Sequence, residues 1–168
     1  DEELEENIAL QIRMFDNVIS INQEPVPESL MTSDKFSAIV LGTSGYHHYL
    51  VNHNIQWESD EHIEAADKLF ENIAYYSIKA SMEQAKKKGA YPALKGSDWE
   101  TGEYFTRRGY TSDRWKQLAA DVAKYGIRNG YLMAVAPTGS TSNIANTTAG
   151  IDPIFKKFFI EEKKGSFT

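Results

Sequence analysis

The sequence contains no cysteine. Within these residues that excludes a disulfide framework, a thiolate metal site and a cysteine nucleophile. No apolar run approaches the roughly 20 residues that a membrane-spanning helix needs, and no signal-peptide pattern is visible. An excess of positive charge is missing too. Lys and Arg total 18 against 24 Asp and Glu, a formal net charge of -6, which argues against a general nucleic-acid surface. The basic clusters are short, Lys86-Lys87-Lys88 and Arg107-Arg108 among them, and read as solvated faces. Arg107-Arg108 beside Tyr104-Phe105 is the best nucleic-acid signal, and it matches no binding motif.

What remains describes a soluble globular chain. Its 168 residues, 41% hydrophobic and 25% charged, suffice for one domain with a core. Leu4, Ile8, Ile12, Phe15 and Ile19 recur at three- and four-residue steps and predict an amphipathic helix from Glu2 to about Asn22. Its acidic start suits the positive helix end, and Pro25 and Pro27 close it. "FSAIVL" at 36–41 reads as a short buried strand, followed by a glycine turn and a short helix from Tyr46. A long helix, capped by Ser59 or Asp60, runs to about Lys88, with Gly89 as its C-cap. Residues 90–112 read as a loop longer than ordinary connections. Asp113 is expected to cap a further helix that presents Trp115, Leu118 and Val122 and ends at Gly126. Strands are expected at Tyr131–Ala136 and within Ile154–Ile160, the latter closed by a turn at Gly165. Helices outnumber strands, so the fold class expected is a helix-rich α/β fragment that needs the rest of its sheet. Starting at Asp1 and stopping just after that turn, the chain reads as an excised piece.

The chemistry-bearing stretch is Pro137-Thr138-Gly139-Ser140-Thr141-Ser142. Proline stops the strand, and Gly139 permits a tight path. Ser140, Thr141 or Ser142 is expected to cap a short helix through Asn143, Ile144 and Ala145. Outward N–H groups at a helix start, with hydroxyls beside them, suit an anion such as phosphate. An ordinary polar turn has the same composition, and the spacing is neither that of a Walker loop nor GxGxxG. His47, His48, His53 and His62 have no metal-ligand spacing and read as surface or packing residues, with His62 facing solvent. Tyr75-Tyr76 reads as core packing, and Asp60-Glu61 as a helix start. No catalytic residue is assigned.

The order "LMAVAPTGSTSNIANTTAGIDPIF" resembles the large, catalytic subunit of ribonucleotide reductase. "IRMFDNVISIN", "PVPES", "FENIAYYSIKASMEQAKKKGAYPALKGS" and "YGIRNGYLMAVAP" are similar to the same family in the same order. "AIVLGTSGYHHYL" departs from the family's LGxGxxG while keeping Gly42 and Gly45. The resemblance covers essentially the whole chain, but only a late internal portion of a longer family chain. It implies that residues 1–168 are part of the family's ten-stranded α/β barrel, within which residues 137–145 form the substrate phosphate loop. It places Thr138, Gly139, Ser140, Thr141 and Ser142 on that loop, with the hydroxyls of Thr138, Ser140 and Thr141 and the N–H groups near 140–142 as donors. It implies a cytoplasmic enzyme that reduces ribonucleoside diphosphates by thiyl-radical chemistry. The parent would be a homodimer with a radical-generating small subunit that holds a dimetal site; coenzyme B12 is the second choice. The reactive cysteines would lie elsewhere in the chain, so the piece alone would be inactive. The alternative is a stand-alone, non-catalytic nucleotide-binding or assembly module derived from the fold.

Overall fold

The computed structural model describes residues 2–156 and 158. The remainder of the strand expected within Ile154–Ile160, and the turn at Gly165, lie outside the described residues. The described chain is helical: α1 Glu2–Ile21, α2 Pro27–Phe36, α3 Tyr46–Asn52, α4 Asp60–Lys88, a 3-10 turn Pro92–Leu94, α5 Asp98–Thr101, α6 Glu103–Arg107, α7 Asp113–Tyr125 and α8 Gly139–Ile144. It divides into two compact units, Asp1–Leu41 with Glu64–Ala134, and Gly42–Ile63 with Val135–Thr168.

The first unit holds the main core. Helix α7 buries Trp115, Leu118 and Val122, one per turn, and α4 contributes Ile73, Ile78 and Met82. Helix α4 starts as the sequence predicts, with the Ser59 hydroxyl accepting the His62 N–H at 3.1 Å. It ends on three lysines and on Gly89 at φ +86°. At the end of α7, Gly126 is required. Its φ is +75°, and a Cβ there would lie 2.6 Å from that of Ala90.

Several expectations change. Asp113 is the first residue of α7 rather than its cap, which is Ser112. Residues 90–112 are not a plain loop. They form the 3-10 turn, α5 and α6, the last two separated by a left-handed Gly102 and each too short to show periodicity. Helix α2 went unseen because it buries no residue and so carries no apolar stripe. Pro27 occupies its first turn, where a missing N–H costs nothing. On α1 the buried stripe is Ile8, Ile12 and Asp16, with Phe15 36% exposed instead. Tyr75 and Tyr76 pack against the core, Tyr75 edge-on to Trp115 at 5.1 Å between ring centroids. Trp115 also stacks on Tyr110 at 3.8 Å, and its Nε1 donates to Glu71 at 2.6 Å. Hydrogen bonds from Arg114 and Trp115 hold the Glu71 carboxyl below the usual carboxylate range.

No strand forms among the described residues, so the expected α/β barrel is not visible in them; the helix-rich character is. Residues 39–41 and 131–134 are extended and parallel. They share Ile39 N–H to Tyr131 O, Leu41 N–H to Leu132 O and Ala134 N–H to Leu41 O, at 3.0, 2.8 and 3.3 Å, but only one bridge, Leu41 with Met133. Two short parallel segments without further neighbours do not make a sheet. Residues 154–156 and 158 are likewise outside any strand.

A buried carboxylate organises this unit. Asp16 is fully buried and takes hydrogen bonds from Lys88 Nζ at 2.6 Å, Arg128 Nε at 2.8 Å and Asn129 Nδ2 at 3.3 Å. Asn129 also donates to Ser37 O and accepts from the Ser81 hydroxyl. Burial pushes the Asp16 pKa up, but the bonds and charges of Lys88 and Arg128 outweigh it, and the net shift is downward. Arg128 and Lys88 keep 19% and 34% of their side-chain exposure, so the loss on breaking the cluster falls short of that of a wholly buried pair. Asp16→Asn is expected to lower stability at neutral pH by about 2 kcal/mol, below the about 3–5 kcal/mol of fully buried pairs. Urea unfolding checks this, and a loss below about 0.5 kcal/mol contradicts it. The carboxyl titrates lower when folded than its unfolded value of about 3.9, so its contribution is complete above that pH and disappears as pH falls through the folded value. The variant should therefore lose that part of the acid sensitivity.

Candidate functional site

The second unit carries the polar loop. After Pro137 the backbone turns at Thr138, which adopts φ +38° and ψ +26°, and α8 begins at Gly139. None of Ser140, Thr141 and Ser142 caps this helix, contrary to the expectation from composition. Thr138 is the N-cap residue, and it makes no side-chain cap bond. The reason lies in the backbone. Ser142 N–H already bonds Thr138 O at 2.9 Å, which places Ser140 to Ser142 inside the helix. The helix ends with Ala145 N–H on Thr141 O.

The five predicted residues form one turn, and their polar groups divide in two. Thr138 Oγ1 accepts the Gly150 N–H at 2.7 Å, closing the loop on itself. Ser142 is 1% exposed, and its hydroxyl donates to Gly139 O at 2.9 Å. Its carbonyl accepts Thr147 N–H at 3.0 Å. These two residues hold the shape. Gly139, Ser140 and Thr141 are exposed. Their N–H groups precede the first helical hydrogen bond, so the helix offers them no acceptor. Residues 135–155 contain no Lys or Arg. Any anion held here is held by amides and hydroxyls, with no titratable group among 138–142.

Sequence reasoning missed what lies behind the turn, because these partners are about a hundred positions away. Gly45 N–H bonds Thr148 O at 2.7 Å, and His48 Nδ1 lies 3.0 Å from Thr147 Oγ1. Gly45 has φ +80°, and a Cβ there would sit 2.6 Å from Thr147 Oγ1. The retained glycine of "LGTSGYHHYL" is thus a close approach to the end of the polar stretch. His47 Nδ1 accepts the Ile154 N–H at 3.1 Å. His62 does not simply face solvent. Its ring lies 4.4 Å from that of Trp57, and its Nδ1 accepts the Glu58 N–H. The histidines serve as packing and hydrogen-bonding residues. An open depression of about 370 Å³ lies beside the far end of α8, lined by His48, Val51, Asn143, Asn146, Thr147, Thr148 and Ile154.

Among the described residues no three His, Cys, Asp or Glu side chains stand together as a metal site, and no helix is long and apolar enough to cross a membrane.

The family model described as ribonucleotide reductase, barrel domain, matches residues 1–168. The ribonucleoside-diphosphate reductase subunit alpha of Treponema pallidum (strain Nichols) is 54% identical over 165 residues, which cover 98% of this chain and 20% of that protein. The subunit alpha of Helicobacter pylori (strain ATCC 700392 / 26695) is 37% identical over 175 residues, covering 96% of this chain and 22% of that protein. That of Chlamydia pneumoniae is 35% identical over 185 residues, covering 100% and 18%. The chain spans about a fifth of the length of these curated relatives. It belongs to the ribonucleotide reductase barrel-domain family.

Proposed function

We propose that residues 1–168 are part of the catalytic barrel of a ribonucleoside-diphosphate reductase alpha chain, and that residues 137–145 grip the substrate's diphosphate. The observation that carries this is the first turn of α8, where three consecutive amides without helical acceptors stand beside the exposed Ser140 and Thr141 hydroxyls. A phosphate supplies the acceptors that these donors lack, and hydrogen bonds to a charged oxygen are stronger than those to a neutral one. Thr138 and Ser142 act as supports: the Thr138 oxygen takes the Gly150 amide, and the Ser142 proton goes to Gly139 O. The diphosphate is preferred to a triphosphate because the relatives are named for diphosphates.

The extended pair supports the barrel reading. Ile39, Leu41 and Leu132 are buried, while Val40 and Tyr131 between and beside them are 53% and 65% exposed. Alternation of period two places one apolar side on the helices and turns a second apolar side outward, the pattern of a strand meant to be covered on both faces.

The parent supplies the rest. A thiyl radical on a cysteine outside residues 1–168 would take the 3′ hydrogen and return it at the end. A pair of cysteines would give two electrons and two protons and become a disulfide, while the 2′ hydroxyl leaves as water and a hydrogen takes its place. A partner small subunit with a dimetal site would supply the radical, with coenzyme B12 as the second choice, and the alpha chains would form a homodimer. The residues described above supply no ligand set for that metal group, and their part is to bind and orient.

Two outcomes follow. The purified 168-residue chain should form no deoxyribonucleotide from ribonucleoside diphosphate and dithiol, because it contains no cysteine; measured thiol-dependent turnover would refute this. In the intact reductase, Ser140→Ala should weaken diphosphate binding by roughly 0.5–3 kcal/mol, the span from an ordinary hydrogen bond to one made to a charged group. Calorimetry reads this directly, and an unchanged dissociation constant removes Ser140 from the grip.

A further inference from the structure

Helix α1 is apolar on two opposite sides. One side is buried in the core through Ile8, Ile12 and the part-buried Ile19. The other carries Leu10, Met14, Val18 and Ile21, exposed by 44%, 55%, 58% and 79%. Their spacing of four, four and three residues aligns them in one stripe. At 100° per residue that stripe centres about 200° from the buried one. It runs for about 16 Å at 1.5 Å per residue. Glu6, Arg13 and Asn17 border it on one side and Gln11 separates it from Phe15 on the other, while Glu3 and Asn7 lie in line with it toward the start of the helix. A surface helix needs only one apolar face. Two opposed faces belong to a helix packed between two layers.

We infer that this outer stripe of α1 is an interface, covered by a segment of the same polypeptide outside residues 1–168. The inference rests on the reading of the chain as part of a longer reductase. Size selects the occupant. These four side chains, 44–79% exposed, offer on the order of 400 Å², half of the about 800 Å² per partner that a stable independent complex buries. That is too little to hold a second copy or a separate protein by itself. A segment joined to α1 through the same backbone faces a local concentration in the mM range, and for it such a stripe suffices. About four fifths of each relative's length lies beyond the part matched here, which leaves ample chain to provide it. The acidic flank at Glu3 and Glu6 favours a covering segment with an apolar row and basic residues near the start of α1.

The test uses the intact alpha chain with single cysteines introduced as Met14→Cys and Val18→Cys, and Ala9→Cys as the control. Ala9 is exposed and lies outside both stripes. Peptide-resolved alkylation of the native protein is followed by mass spectrometry. Positions 14 and 18 should label at least about tenfold more slowly than position 9, and the difference should vanish in denaturant. Equal labelling in the native protein overturns the inference. So does protection that disappears on dilution to monomers, since that outcome assigns the stripe to a second copy. An alpha chain that turns over normally and still labels freely at 14 sinks this inference and leaves the proposed function standing.

Discussion

The first unit is organised around one buried charge. Asp16 sits on the inner side of α1, where the apolar spacing calls for another isoleucine or leucine, and it is fully buried. A lone carboxylate in that position would be prohibitively costly, so its partners must be delivered. Lys88 comes from the last turn of α4, and Arg128 and Asn129 from the segment after α7. The same Asn129 reaches Ser37 O at the end of α2, while Gly130 N–H bonds Phe36 O. These bonds fix where residues 39–41 start relative to 131–134, and so set the parallel register of the extended pair. One charge thereby ties three helices to the two segments that a barrel sheet would continue.

That arrangement explains which parts of the fold can be read in the sequence. Helices α1, α4 and α7 are legible because each buries a stripe of aliphatic or aromatic residues, and α4 adds a serine cap and a glycine stop. Helix α2 is not, because it buries nothing. The extended segments look like strands because 36–41 and 131–136 are short apolar runs closed by a glycine or a proline, but strand formation is decided by neighbours that a local pattern does not contain. Asp16 left a trace that periodicity alone misreads. Asp16 stands in register with Ile8 and Ile12, whereas the apolar spacing alone points to Phe15. Its partners, 72 and 112 positions away, leave no local signal.

The loop shows the same division. Proline, glycine and a run of hydroxyls mark a turn with free amides, and that much is local. Which hydroxyls hold the turn and which remain outward depends on Gly150 for Thr138 and on the Gly139 carbonyl for Ser142. Composition had spread the capping role over Ser140, Thr141 and Ser142; the backbone gives the N-cap position to Thr138 and takes Ser142 into the helix. Gly45 and the two adjacent histidines, nearly a hundred residues earlier, brace residues 147–154 from behind. The phosphate proposed for this turn comes from the family resemblance, since the geometry alone names no ligand. Under the proposed function the reducing chemistry lies outside residues 1–168, which contain no cysteine.

The central claim is that the start of α8 binds substrate phosphate. The most direct measurement is residue-resolved amide hydrogen exchange of the intact alpha chain with and without a ribonucleoside diphosphate. The account predicts that the Gly139, Ser140 and Thr141 amides become protected when nucleotide binds, while the already bonded Ser142 amide changes little. Bound nucleotide that leaves those three amides exchanging at their free rates would contradict it.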